Sequence, residues 1–75
     1  MISVSVGTTT KRETKMYAPS TTIRTILEEN DVDYSASQIM LDGSNLQADE
    51  MDKTLADLNK TTKCLLVAVV KAANA

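Results

Sequence analysis

QIMLDGSNLQADEMDKTLADLN, residues 38–59, is the stretch that decides the fold of this chain. Its apolar run 39–41 is followed by Asp42-Gly43, two residue types that tolerate the positive φ of a tight hairpin turn. The returning segment begins at Leu46. Farther on, residues 54–57 read Thr-Leu-Ala-Asp, the spacing of a capping box, which predicts one helical turn that places Leu55 and Leu58 in the core. Asn59 suits the left-handed position that ends such a turn.

A first hairpin precedes this stretch. Ile2, Val4 and Val6 alternate with serines, the period-two pattern of a strand with one face on a core, and residues 7–11 read as the following turn. The register of the return strand, 12–18, stays open, because a one-residue slip reverses every side chain. Either Thr14 and Met16 or Lys15 and Tyr17 face inward. The spacing of Tyr17 from Pro19 favours Tyr17 inside.

One short helix is predicted between the two hairpins. Hydroxyl side chains at residues 20–22 offer caps for an apolar stripe spaced i, i+3, i+4, which consists of Ile23, Ile26 and Leu27. Asn30-Asp31 has the composition of an exit turn, and Val32 and Tyr34 are expected to fold back over the core. The final segment, 63–71, is apolar at almost every position, which is typical of a central strand.

These elements predict an α+β domain with the β-grasp arrangement, a mixed four- to five-stranded sheet packed on one helix. The domain is expected to span residues 1–71 and a short flexible tail residues 72–75. The first and last strands should run parallel in the middle of the sheet. Three motifs carry a resemblance to the ubiquitin-like superfamily over nearly the whole chain: Pro19-Ser20-x-Thr22-Ile23, Leu41-Asp42-Gly43-Ser44-Asn45-Leu46 and Thr54-Leu55-Ala56-Asp57-Leu58-Asn59. Residues 27–34 are also similar to the helix exit of small sulfur carriers.

Composition excludes several classes of function. The chain has 75 residues, no histidine, two tyrosines as its aromatic residues and a formal net charge of -2. We therefore expect no enzyme, no cofactor and no metal site, since the usual general base and commonest transition-metal ligand are missing. Thinly spread basic residues argue against nucleic acid. With no signal peptide and no apolar run long enough to span a bilayer, a cytoplasmic protein without membrane contact is expected.

Two other groups invite a chemical role. Cys64 is the only cysteine, which suits a reducing compartment. Without a histidine or a basic cluster beside it, a half-buried structural thiol is favoured over a catalytic or sulfur-transfer group. Asp49, Glu50, Asp52 and Asp57 form an acidic neighbourhood. Their spacing lacks the calcium-loop pattern, which favours a solvated face.

The resemblance implies two modes of action. Modifiers and sulfur carriers of this superfamily act through a flexible Gly-Gly tail, whereas this chain reads Lys71-Ala-Ala-Asn-Ala75. Cβ atoms restrict the conformations and the width of such a tail. A modifier or sulfur carrier with an atypical or processed C-terminus is therefore the alternative hypothesis. The main hypothesis is a non-catalytic module that binds proteins non-covalently, in a bacterial or phage-derived multiprotein system.

The resemblance also places the binding surface on the sheet face opposite the helix. Met40, Val67 and Val69 would point outward there, and Thr9 lies where the family has a further apolar contact. Exposed contiguous apolar side chains usually mark an interaction site, and Met adapts to different partners. The competing interpretation is that the valines are strand formers and that Lys stems or a second copy cover Met40. The chain is expected to be a monomer or weak homodimer, and a structural subunit that pairs through an exposed sheet edge is a third hypothesis.

Overall fold

The computed structural model describes residues 1–70, except for the side chain of Val70. Its elements are β1 (Ile2–Thr8), β2 (Arg12–Tyr17), α1 (Ile23–Glu29), β3 (Ser37–Leu41), β4 (Ser44–Asn45), a 3-10 turn (Ala48–Glu50) and β5 (Lys63–Val70). They form a small α+β unit in which one helix packs on a mixed sheet. Lys71 and the predicted tail, 72–75, lie outside the described residues. No helix in the described part is long and apolar enough to cross a membrane.

The sheet has five strands in the order β2-β1-β5-β3-β4. β1 and β5 are parallel neighbours, and the other pairs, β1–β2, β3–β5 and β3–β4, are antiparallel. The prediction that the first and last strands lie parallel in the middle is therefore confirmed. Because β5 has a neighbour on each side, it presents side chains to both faces and no free edge.

The register of β2 places Tyr17 inside, as its spacing favoured. Ile2 pairs with Tyr17 and Ser3 with Met16. Tyr17 is buried, whereas Met16 is 54% exposed. The Tyr17 hydroxyl accepts a hydrogen bond from the Asn30 amide nitrogen at 2.9 Å, which ties the end of β2 to the end of the helix.

Helix α1 begins after Thr22, whose hydroxyl oxygen accepts the Thr25 N–H at 3.2 Å. Its predicted stripe is fully buried: Ile23, Ile26 and Leu27 each have 0% exposure. The helix ends at Glu29, and Asp31 then adopts a φ of 57°. The predicted exit is confirmed, and Val32 and Tyr34 pack partly buried against the core.

The second hairpin turns at Asp42-Gly43, with φ values of 51° and 88°. Two successive positive φ angles are the signature of the turn that matches the twist of paired strands. Farther on, the predicted capping box forms, since the Asp57 N–H donates to Thr54 Oγ1 at 3.0 Å and the Thr54 N–H to Asp57 Oδ2 at 3.1 Å. The segment closes a hydrogen-bonded turn rather than a helix, and Asn59 ends it at a φ of 63°.

The core lies between the helix and the inward positions of the sheet. Its largest fully buried side chains are Ile2, Val4, Ile23, Ile26, Leu27, Ile39, Leu55 and Leu66. No buried polar or charged residue occurs among residues 1–70. The part of the inner face that the helix covers is thus committed to packing, whereas Glu13 and Lys15, on the same side of β2 as Tyr17, are exposed. Candidate sites are therefore sought on the other face, at the edges and in the loops.

Candidate functional site

The sheet face turned away from α1 is defined by the alternate positions of its strands. On β5 these positions are Lys63, Leu65, Val67 and Val69, because Cys64, Leu66 and Ala68 between them are buried. This open face has no covering element among residues 1–70. Its central row is therefore apolar along most of its length.

Pairing with β3 adds Met40 to this row. Met40 lies directly opposite Val67, and Gln38 lies opposite Val69. Side chains on successive outward positions of one strand stand about 7 Å apart. We call the contiguous group the apolar patch; it consists of Met40, Leu65, Val67 and Val69. Three of its members are half-buried by their neighbours, and Leu65 is 38% exposed.

On the other side of β5 the neighbouring positions carry small groups. Ser5 pairs with Leu65, and Gly7 pairs with Val67. Neither can cover the valine or leucine beside it, so the flank of the patch that faces β1 stays open. Ser5 is also occupied, since its hydroxyl lies 3.0 Å from that of Thr14 on β2.

An ion pair borders the Leu65 end of the patch. Lys60 Nζ lies 2.6 Å from Asp42 Oδ2, and the Leu65 N–H donates to Asp42 Oδ1 at 2.8 Å. Partial burial raises the pKa of Asp42, but the hydrogen bonds from Lys60 and Leu65 and the charge of Lys60 outweigh it, so the net pKa lies below its ordinary 3.8. The patch therefore has a charged, hydrogen-bonded rim, as interaction surfaces commonly do.

The structure brings together three of the four residues that the sequence singled out. Met40, Val67 and Val69 are neighbours, whereas Thr9 lies at the exposed tip of the β1–β2 hairpin. Thr9 follows Thr8, which pairs with Ala68 as the last β1 residue beside β5, and it does not belong to the sheet.

Sequence reasoning missed Leu65. The sequence does contain a signal for it, because Leu65, Val67 and Val69 are alternate residues of one strand and therefore share a face. A continuous apolar strand hides that signal, since every position of β5 from 64 to 70 is apolar and only the register separates inward from outward residues.

Cys64 lies on the inner face, where it is 6% exposed. Burial, with a smaller contribution from the charge of Asp42, raises the pKa of its thiol above 9.0. A thiol that stays protonated is a poor nucleophile. The half-buried thiol expected from the sequence is in fact buried.

The acidic neighbourhood does not form a metal centre. No group of three or more potential ligands comes together among residues 1–70. Glu50 accepts the Gln47 N–H at 2.8 Å, Asp57 closes its capping box, and Asp52 Oδ1 lies 2.9 Å from Arg24 Nε. These carboxylates are thus used to hold loops in place.

A groove of about 570 Å³ lies beside β3 and is bordered by Arg24, Tyr34, Gln47 and Met51 among others. Its one cationic side chain is already engaged: the Arg24 guanidinium carbon lies 5.8 Å above the Tyr34 ring centre. Arg24 Nε is buried beside Asp52, but its N–H does not point at the carboxylate, so the contact is an ion pair without a hydrogen bond. No acid–base pair lines this groove.

Comparison with known proteins adds no relative: no protein-family model matches the chain, and no curated protein is significantly similar to it in sequence. The function therefore has to be inferred from the residues and their geometry.

Proposed function

We propose that this chain is a non-catalytic, ubiquitin-like protein-interaction module with the β-grasp fold, and that it binds its partner non-covalently through the open face of the sheet. The observation that carries the proposal is the apolar patch itself. Met40 and Val67 are cross-strand neighbours, Leu65 and Val69 extend the row, and the face lacks a covering layer in the described part of the chain.

The composition of the patch suits a protein partner. Aliphatic side chains and one adaptable methionine gain free energy when another apolar surface excludes water from them. The rim offers Lys60, Asp42 and Gln38 for polar contacts that set orientation. A contiguous exposed apolar row on a small protein usually marks an interaction site.

Fold and sequence together support the superfamily. A central parallel pair formed by the first and last strands, with a hairpin on each side and one helix across the sheet, is consistent with the proposed β-grasp arrangement. The three motifs that resemble ubiquitin lie at the helix start, the second hairpin and the late capped turn.

Protein is favoured over other partner classes by charge and chemistry. The formal net charge is -2. Lys60 beside the patch is paired with Asp42, so Lys63 is left as a single lysine at the Leu65 end of the face, which is not the basic cluster that phosphate binding needs. We propose neither a cofactor nor a catalytic residue. The proposal places the module in the cytoplasm of a bacterial or phage-derived system, where its single free cysteine stays reduced.

The test compares partner recovery by the full chain, tagged at its N-terminus, with recovery by Met40→Asp and Val69→Asp. Each variant puts a charge into the patch, and we expect at least about a tenfold loss of recovered partner. Ala48→Asp is the matched control, because it adds the same charge at an exposed apolar residue of the 3-10 turn, outside the open face. Circular dichroism checks that all variants are folded.

Unchanged recovery by both patch variants would remove the open face from consideration. A ladder of adducts that survives denaturation would support the alternative, a modifier joined covalently through its C-terminus. Partners that dissociate in denaturant, with the mass of the chain unchanged, would support the non-covalent module.

A further inference from the structure

The outer edge of β2 is a second surface, distinct from the open face. β2 is the first strand in the sheet order, and no strand of residues 1–70 pairs with its outer side. It is six residues long, and all but Tyr17 are exposed. An unpaired edge of this length is a template for another strand.

The hydrogen bonds of the hairpin determine which β2 groups point outward. The Thr8 N–H donates to the Lys11 carbonyl at 2.8 Å, so that pair is hydrogen-bonded and alternate pairs follow it. The Ser3 N–H points the other way, toward the carbonyl of Thr62 before β5, which agrees with this alternation. The backbone groups that remain free at the outer edge are therefore those of Arg12, Thr14 and Met16.

The charges of β2 are arranged symmetrically about Thr14. Glu13 and Lys15 flank it with opposite signs, and both are exposed. Within one chain they lie 3.9 Å apart, between Glu13 Oε1 and Lys15 Nζ. If two β2 strands meet antiparallel about an axis at Thr14, each Glu13 faces the Lys15 of the other copy.

The same register satisfies the remaining positions. Thr14 faces Thr14 of the second copy in a hydrogen-bonded pair, which makes Glu13–Lys15 the closer, non-hydrogen-bonded pair. Arg12 faces Met16, so the aliphatic stem of the arginine covers a methionine that is 54% exposed in the single chain. The two-fold axis repeats the Glu13–Lys15 pair and the Arg12–Met16 pair, so each of them forms twice in the dimer.

Other antiparallel registers with matching hydrogen-bond direction are worse. Moving the axis by one position sets Glu13 against Glu13 or Lys15 against Lys15, and like charges directly opposite are destabilising. An axis at Arg12 sets two guanidinium groups together. An axis at Met16 leaves Arg12 and Glu13 without a partner strand.

From this complementarity we propose that the partner of the β2 edge is a second copy of this chain, joined antiparallel about Thr14 into a two-fold dimer with a continuous ten-stranded sheet. The proposal does not depend on the function of the open face, because the patch lies on β5 and β3. Each protomer keeps its own patch in the dimer.

Charge exchange tests the register. Sedimentation equilibrium of the full chain, from about 10 µM to about 1 mM, should show a concentration-dependent dimer. Glu13→Lys and Lys15→Glu each convert two attractive pairs to repulsive ones, and each should weaken dimerisation about tenfold or more. An equimolar mixture of the two variants should dimerise again, as should the chain that carries both changes.

Matched controls separate this effect from net charge. Asp49→Lys and Lys53→Glu change the charge by the same amounts at exposed positions between β4 and β5, away from β2. They should dimerise like the wild type. A wild-type chain that is monomeric throughout the range would overturn the proposal, and so would single variants that dimerise unchanged. Failure of the mixture and of the double variant to recover would overturn the Thr14 register.

Discussion

At the scale of single residues, Gly7 is a strand position where neighbouring backbone atoms leave no room for a side chain. Its φ is 157°, and a Cβ placed there would overlap the Lys11 carbonyl oxygen and lie 2.8 Å from Arg12 Cα. These are backbone atoms of the turn residue before β2 and of the first β2 residue, and they cannot rotate away as a side chain would. The absence of a side chain also keeps Val67 uncovered, so one glycine serves both the hairpin and the patch.

We expect Gly7→Ala to lower the free energy of unfolding by about 3 kcal/mol, because strain and overlap add. Gly43→Ala is the control, since its φ of 88° is strained but no atom lies within 4 Å of the added Cβ. It should cost about 1 kcal/mol. Urea titrations of both variants measure the difference, and equal losses would show that the overlap relaxes.

Asp42 supplies a prediction for pH. Its folded pKa is lowered, so its contribution to stability is complete above the unfolded pKa of about 3.9 and is lost as the pH falls through the lower folded value. Asp42→Asn keeps the turn, because Asn tolerates positive φ, and it keeps an acceptor for the Leu65 N–H. It removes the ionisation and the charge of the Lys60 pair.

The stability of the wild type should therefore fall more steeply below about pH 4 than that of Asp42→Asn. Thermal melts between neutral and acidic pH measure the two slopes. Asp49→Asn, at an exposed position of the 3-10 turn, controls for the loss of one carboxylate. Parallel slopes for the wild type and Asp42→Asn would contradict the lowered pKa.

At the scale of elements, α1 is held at its start by three different acceptors. The Ile23 and Arg24 N–H groups donate to the carbonyls of Lys53 and Met51 at 3.0 and 2.8 Å. The Thr25 N–H donates to the Thr22 hydroxyl at 3.2 Å. A helix of seven residues depends on such partners, because its own hydrogen bonds leave the first N–H groups free.

Thr22→Ala removes one of these acceptors and should cost about 1 kcal/mol of the free energy of unfolding. Thr21→Ala is the matched control, because the Thr21 hydroxyl makes no hydrogen bond within the described residues and only its backbone is engaged. Denaturant titration should show little change for the control. Equal stability of the two variants would mean that water replaces the cap without loss.

The elements that sequence predicted well are those with local signals. Alternation identified β1, the i, i+3, i+4 stripe identified α1, and Asp42-Gly43 located the second hairpin. The start of β4 was predicted wrongly: the return was expected to begin at Leu46, whereas the strand is Ser44–Asn45. Leu46 follows it and donates its N–H to the Ile39 carbonyl of β3 at 2.8 Å. The 3-10 turn at 48–50 was missed as well. The 3-10 turn is closed by local hydrogen bonds, from the Glu50 N–H to the Gln47 carbonyl at 2.9 Å and from the Gln47 N–H to Glu50 Oε1 at 2.8 Å.

The candidate site was likewise predicted only in part. Met40, Val67 and Val69 were predicted because the resemblance specifies a face and the chain offers apolar residues there. Leu65 and the β2 edge follow from register, which no local pattern of an all-apolar strand contains. The symmetry of Glu13 and Lys15 about Thr14 becomes meaningful only once β2 is known to be an outer strand.

At the scale of the whole molecule, the two proposals use different surfaces of the sheet, its open face and its outer edge. β1 lies between β2 and β5, so the edge and the centre of the patch are about 10 Å apart. Sites at that separation with no shared contacts act nearly additively. The two proposals are therefore physically independent of each other.

We expect Val69→Asp to dimerise within about twofold of the wild type, and Glu13→Lys to recover the same partners as the wild type. The combined variant should dimerise as weakly as Glu13→Lys and recover as little partner as Val69→Asp. Sedimentation and partner recovery, measured on all three chains, give the complete cycle. Loss of the partner on Glu13→Lys alone would mean that the partner spans both protomers, since only a composite surface lets a change at the edge act on binding at the face.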